Sequence, residues 1–329
     1  MKFKIDGFVL SIIAVIGIAY VFPYWGTADS GVPIDTIGTI GISLIFFFYG
    51  LKLSPSKLKA GLKNWKLHLL VQASTFLIFP LIVLAFYPLI QNEEQQTLWL
   101  AFFFLAALPS TVSSSVVMVS IAKGNIPAAI FNASISGIIG IVITPLWMGF
   151  FVQNAGTDFD FTEIYTKLVL QIILPVVFGF FLQRYWGEWA QKYNRSLSFF
   201  DKSIILLIIY KSFAGSFEEN IFGTVSFVDL LILFIAVLGL FYLVFLITGF
   251  VAKKLKFNTE DQITAQFCGT KKSLVHGTVF SKILFGNMAS IGVILLPLMV
   301  FHATQILILS IVAGIRANRP VAPKPTEVV

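Results

Sequence analysis

Long apolar runs alternate along this chain with short loops whose charge changes sign from one loop to the next. Few folds tolerate that pattern. About 20 apolar residues in a helix cross the ~30 Å hydrocarbon core of a bilayer, where each backbone polar group must find its partner inside the protein. We read ten such spans: 8–24, 37–53, 67–90, 97–121, 126–152, 161–182, 203–217, 225–251, 262–284 and 287–315. The seventh and ninth are the least apolar, and without them the count is eight.

The loop charges discriminate between these counts, because Lys and Arg concentrate on the cytoplasmic side. The N-terminal stretch carries Lys2 and Lys4, the next loop Asp29 and Asp35, and the third Lys52, Lys57, Lys59, Lys63 and Lys66. Glu93 and Glu94 follow, then Lys123, then Asp158, Asp160 and Glu163. Arg184, Lys192, Arg195 and Lys202 come next, followed by Glu218 and Glu219, by Lys253, Lys254 and Lys256, and by Arg316, Arg319 and Lys324. Basic and acidic loops alternate without a break only if all ten spans are kept. Both termini are then cytoplasmic, in a plasma (bacterial inner) membrane.

An odd-numbered repeat is contained in that topology. Residues 1–152 start inside and end outside, whereas 161–315 start outside and end inside, the plan of inverted-repeat transporters. Residues 316–329 read as a disordered cytoplasmic tail. Hydrophobic residues make up 57% of the chain and charged ones 12%, too little polar surface for a soluble domain of this length. The start resembles a secretory leader, but Phe22-Pro23-Tyr24-Trp25 is an aromatic belt, not a small-residue cleavage site. Cys268 is the only cysteine, which excludes disulfide scaffolds and cysteine metal sites. The net charge of +7 comes from loop lysines and calls for no nucleic acid. Nothing sets the oligomeric state.

Two spans are interrupted by polar residues. Span four contains Leu108-Pro109-Ser110-Thr111-Val112-Ser113-Ser114-Ser115. Pro109 removes a backbone donor and disfavours helix before it, and such a break deep in a membrane is tolerated only where it lines protein or a cavity. Span nine contains Phe267-Cys268-Gly269-Thr270-Lys271-Lys272-Ser273-Leu274, with His276 beyond. Lys271 lies roughly 14 Å along the helix from Gln262, near mid-membrane, where a lysine costs about 3 kcal/mol on insertion scales. The breaks hold the fourth place in each half, the best sequence pointer to a transporter's binding site. Half-helix N-termini and two lysines there favour anions. Asn132 and Ser136, four residues apart, share a helix face that can reach the first break, and Gln72 in span three can line the same cavity.

Each of these residues also has a purely structural reading. Hydroxyls such as those of Ser110, Thr111, Ser113 and Ser114 commonly bond neighbouring membrane helices, as Asn132, Gln72 and His276 can. Lys167 and Lys211 fit as interfacial snorkelling lysines. Lys271 and Lys272 resist this reading best. If span nine is helical there, only one of them points inward; if it is unwound, both can.

With ten spans, a five-plus-five inverted plan and breaks in spans four and nine, residues 5–315 resemble the bile acid:sodium symporter superfamily. The resemblance is strongest to the divergent branch that includes the seventh member of vertebrate solute carrier family ten and many bacterial homologues. It is carried by residues 108–116, by Gly124-Asn125 with Phe131-Asn132-Ala133-Ser134, by Thr144-Pro145-Leu146, and by residues 267–274. It implies an all-α fold with a panel of spans one, two, six and seven, and a core in which the two broken helices cross. It also implies sodium ligands at Ser113 and Ser114 in span four and at Asn132 and Ser136 in span five, with Gln72 matching a span-three glutamine.

Span nine departs from the family pattern Glu-x-Gly-x-Gln-Asn. Anchored on Gly269, Phe267 stands in place of the glutamate and Lys271 and Lys272 in place of the Gln and Asn. Sodium, as a hard cation, wants oxygen ligands (compare), and an ammonium about 4 Å away would repel it by several kcal/mol at an effective dielectric near 20. The sequence therefore argues against sodium at these sites, and no other cofactor is expected. A lysine ammonium is expected to replace the ion, bonding the hydroxyls of span four and the carbonyls of the broken helices. Proton exchange at a buried amine would then couple transport; with a permanent charge the protein would be a uniporter or exchanger. The function expected is secondary transport of a small organic anion through the lipid bilayer. The alternative is a non-transporting regulator or scaffold that keeps the fold. A membrane enzyme would need an intramembrane acid/base pair or metal-binding carboxylates, and the sequence offers neither.

Overall fold

Every regular element among the described residues is helical, as the bonding demands of lipid require. The computed structural model describes residues 7–27, 30–53, 64–111, 113–152, 161–220, 227–285 and 291–318. Helix α1 is Gly7–Val21 and α2 is Ile34–Lys52. Helix α3, Trp65–Ala73, passes through a π-helical turn at Ser74–Ile78 into α4, Phe79–Leu84. Helices α5, Glu93–Ala107, and α6, Ser113–Ile121, flank the first interruption, and α7 is Ile126–Val152. Helix α8, Phe161–Leu168, runs through a second π-turn, Val169–Ile173, into α9, Leu174–Lys192. Then follow α10, Asn194–Glu218, and α11, Phe227–Lys254. Helices α12, Thr259–Gly269, and α13, Leu274–Phe285, flank the second interruption, and α14 is Ile291–Ala317.

Each π-turn sits directly before an apolar–proline pair, Phe79-Pro80 and Leu174-Pro175. The physical reason is the missing proline N–H. In α3–α4 the Phe79 N–H bonds Ser74 O and Pro80 offers no donor. Thr75 O is thus left without a partner four or five residues on, and Phe76 O without one four residues on. Trp147 Nε1 takes Phe76 O at 2.9 Å. Thr75 O is taken at the site described below.

Two sets of helices pack closely, and they meet where α10 lies on α13 and α14. Helix α2 lies along α9, and α10 packs on both α1 and α2. The contact of α2 with α9 is backbone to backbone. A Cβ at Gly50 would stand 2.2 Å from Val176 O, and one at Gly179 the same distance from Phe47 O, so only glycine permits the approach. In the second group, α3–α7 and α11–α14 enclose the buried rings of Phe103, Phe104, Phe267, Phe280 and Phe301. Phe178, Phe181, Leu246 and Phe250 on α9 and α11 are exposed, an apolar outer surface suited to lipid.

Among the described residues, six helical stretches are long and apolar enough to cross a membrane: Ile34–Lys52, Trp65–Leu89, Ile126–Phe151, Thr162–Lys192, Val228–Lys254 and Ile291–Ala317. Helices α1 and α5 are apolar but shorter. The structure alters several boundaries read from the sequence. The basic stretch 184–202, expected as a loop, is helical on both sides of Tyr193, since charged residues end an apolar run without ending a helix. The expected tail begins inside α14, where Arg316 bonds Gln266 Oε1 at 2.5 Å and lies over the ring of Phe267; residues 319–329 lie outside the described residues. Lys167 and Lys211, read as snorkelling, form ion pairs with Glu163 and Asp35.

Candidate functional site

The first break falls at Pro109. Leu108 precedes it and is extended, at φ −71° and ψ 151°, the conformation a following proline favours. Helix α5 therefore ends with unpaired carbonyls in the protein interior. Thr144 Oγ1 donates to Ala107 O at 2.8 Å. The Lys272 ammonium donates to Ala106 O at 2.6 Å and to Leu108 O at 2.8 Å. Its third proton goes to Thr75 O at 2.7 Å, the carbonyl orphaned by Pro80, and the Phe79 ring lies 4.2 Å away. One amine thus serves three carbonyls from two spans, with its full complement of donors used. It is completely buried.

The second break lies between Gly269 and Leu274, where the chain leaves helical geometry. The two breaks cross and exchange bonds. Ser110 Oγ donates to Cys268 O at 2.7 Å, and the Ser273 N–H donates to Pro109 O at 2.9 Å. Ser136 Oγ accepts from the Ser110 N–H at 2.9 Å. Gln305 on α14 clamps the strand between the half-helices: its Oε1 accepts from the Lys272 N–H and its Nε2 donates to Lys272 O, both at 2.8 Å. Ser74 Oγ donates to Gly269 O at 3.0 Å and meets Thr248 Oγ1 at 2.8 Å. Thr270 Oγ1 turns back onto Gln266 O.

The half-helices that leave the crossing are capped by hydroxyls. Ser273 Oγ accepts from the His276 N–H and lies 2.9 Å from His276 Nδ1, an N-cap arrangement. At the start of α6, Thr111 Oγ1 contacts the hydroxyls of Ser114 and Ser115. The side chain of Ser113 lies outside the described atoms.

Lys271 differs from its neighbour. It is equally buried, yet its amine has no hydrogen-bond partner among the described residues. His276 Nε2, also unpartnered, lies 3.1 Å from where a Cβ on Gly137 would stand, as the Tyr49 hydroxyl does at 2.8 Å.

Most of the residues singled out in the sequence thus meet at one place: Pro109, Ser110, Thr111, Ser136, Gly269, Thr270, Lys271, Lys272 and Ser273. Among the described residues, Asn132 makes no hydrogen bond to the first break. Its Nδ2 bonds Ala128 O, and Gln72 Nε2 donates to its backbone and side-chain oxygens at 3.2 Å. Asn132 and Gln72 therefore join α7 to α3 beside the crossing. Among the described residues the Lys272 ammonium bonds carbonyls and no hydroxyl, since the described hydroxyls bond the backbone and one another. Sequence reasoning missed Thr75, Thr144 and Gln305. For Thr75 a signal existed in Pro80, five residues on; for Gln305, within an apolar helix, the signal was a lone amide in lipid-spanning sequence.

Comparison with known proteins follows this geometry. The SBF-like CPA transporter family matches residues 6–318. An uncharacterized protein of Pseudomonas aeruginosa is 36% identical across 97% of this chain and 95% of its own length. YfeH of Escherichia coli, by its name a candidate symporter, is 34% identical across 94% of this chain and 92% of its own. The sodium/bile acid cotransporter 7 of Rattus norvegicus is 30% identical across 93% of this chain and 91% of its own. A chain matched over nearly its whole length, with apolar spanning helices and a buried polar crossing, belongs to the SBF-like CPA transporter family and is a multi-pass integral membrane transporter.

Proposed function

We propose that this chain moves a small organic anion by alternating access, without sodium at its helix crossing. The observation that carries the reading is Lys272. Its ammonium holds three carbonyl oxygens at 2.6–2.8 Å between broken helices, where the resemblance places a metal cation. A tethered positive charge offsets the same helix-end carbonyls that an ion would. Phe267, completely buried, offers no oxygen where a ligand is needed. The residues at the crossing do not fit sodium, and no transport step is assigned to it.

The architecture we propose for this work is ten spans in two inverted halves, 1–152 and 161–315, with both termini cytoplasmic. The close packing of α1, α2, α9 and α10 on one another supports a panel, which meets the core where α10 lies on α13 and α14. The anion preference rests on the second amine. A buried charge without a partner is strongly unfavourable, so Lys271 is the group left for an incoming anion or an exchanged proton. The rat relative's name pairs a bile acid with sodium, and a bile acid is a suitable first probe.

Uptake of labelled taurocholate and of smaller carboxylates into proteoliposomes, with imposed sodium, potassium or proton gradients, tests the proposal. Uptake indifferent to sodium and abolished by Lys271→Met supports it. Uptake that scales with the sodium gradient overturns it.

A further inference from the structure

Where α3 passes into its π-turn, Ser74 Oγ meets Thr248 Oγ1 of α11 at 2.8 Å. Beyond that contact α3 and α11 leave a groove of about 330 Å³. Trp65, Lys66, Leu69 and Ala73 line it from α3, Val251 from α11 and Leu255 from the turn just after α11. From Thr248 to Leu255 is about 10 Å along a helix, a large part of one bilayer leaflet. Its walls are almost wholly apolar, so a hydrocarbon chain suits them and water does not.

The mouth of the groove is cationic. Lys66 is exposed, and Lys253, Lys254 and Lys256 are exposed where α11 ends. Basic residues beside an apolar cleft between membrane helices attract anionic lipid headgroups, while Trp at that level marks the membrane–water boundary. We propose that this groove is a specific site for one anionic phospholipid, with an acyl chain between α3 and α11 and the phosphate near Lys66. The site has a mechanical reach that an ordinary boundary lipid lacks. Ala73 in its wall is two residues from Thr75, whose carbonyl bonds Lys272, and Ser74 between them bonds Gly269 O at the second break. A lipid seated here bears on the helix that carries those bonds. The inference is independent of the proposed substrate and coupling.

Native mass spectrometry of the full chain, released from detergent with added phosphatidylglycerol or phosphatidylcholine, tests the site. The expected result is one phosphatidylglycerol retained per chain, at least severalfold over phosphatidylcholine. Lys66→Gln should abolish the preference, and Ala73→Leu, which fills the groove, should lower retention of both lipids. Lys192→Gln, a basic residue at the end of α9, should change neither. Equal retention of the two lipids, unchanged retention in Lys66→Gln and Ala73→Leu, a loss in Lys192→Gln as large as in Lys66→Gln, or a lipid-free dimer would each overturn the proposal.

Discussion

The half-helices α5 and α12 both end in the protein interior at mid-chain breaks, and they are closed off differently. The end of α5 is held by a cation: Lys272 takes Ala106 O and Leu108 O, leaving Ala107 O to Thr144. The end of α12 is held by neutral hydroxyls: Thr270 takes Gln266 O, Ser110 takes Cys268 O and Ser74 takes Gly269 O. A lysine stands beside this end too, but the Lys271 amine bonds nothing among the described residues. Two adjacent lysines, equally buried, therefore have opposite standing. One is committed to structure through three charge-assisted bonds, which are the strong kind. The other amine has no hydrogen-bond partner among the described residues, which in the proposed reading leaves it for substrate or proton.

Lys272→Met should give the largest effect. It keeps the volume and leaves three interior carbonyls unpaired, each at a cost of about 1–3 kcal/mol. Thermal unfolding in detergent should show a severe drop or no folded protein, and a mild drop would break the contrast between the two ends. Gln305→Leu comes next. It removes the two bonds from Gln305 to the unwound segment and should destabilise by about 1–3 kcal/mol. Hydrogen exchange should rise at the Lys272 N–H before it rises in α5.

Ser110→Ala removes one neutral bond at the α12 end and should cost about 1 kcal/mol, visible as a modest fall in unfolding temperature. An effect matching that of Lys272→Met would mean that the hydroxyl end is no weaker than the cationic one. Lys271→Met should disturb the fold least. Replacing a buried unpaired charge with an apolar chain is neutral or stabilising by about 1 kcal/mol or more, while anion uptake is lost. Should Lys271→Met unfold the protein as Lys272→Met does, the division of labour fails.

Much of this was legible in the residues. The apolar runs and loop charges announced a membrane protein, and Pro109 and the Lys271-Lys272 pair located both breaks. The identity of the acceptors was not legible. Lys272 bonds carbonyls of residues 75, 106 and 108, far away in sequence, and backbone oxygens carry no residue-specific signature. The bonding partners of Asn132 were not legible either, because helical spacing gives the face a residue shares with Ser136 but not the neighbour that bonds it.

The sequence by itself determined where the first break could fall. A proline has no N–H and disfavours helix at the residue before it; Pro145 and Pro297 stand inside α7 and α14, whereas at Pro109 a run of hydroxyl residues follows that can bond the freed backbone. Only the tertiary structure decided the second break. No proline stands between Gly269 and Leu274; there the N–H groups of Lys272 and Ser273 are drawn to Gln305 and Pro109 of other spans. A backbone donor bonded across the protein cannot also bond four residues back along its own helix.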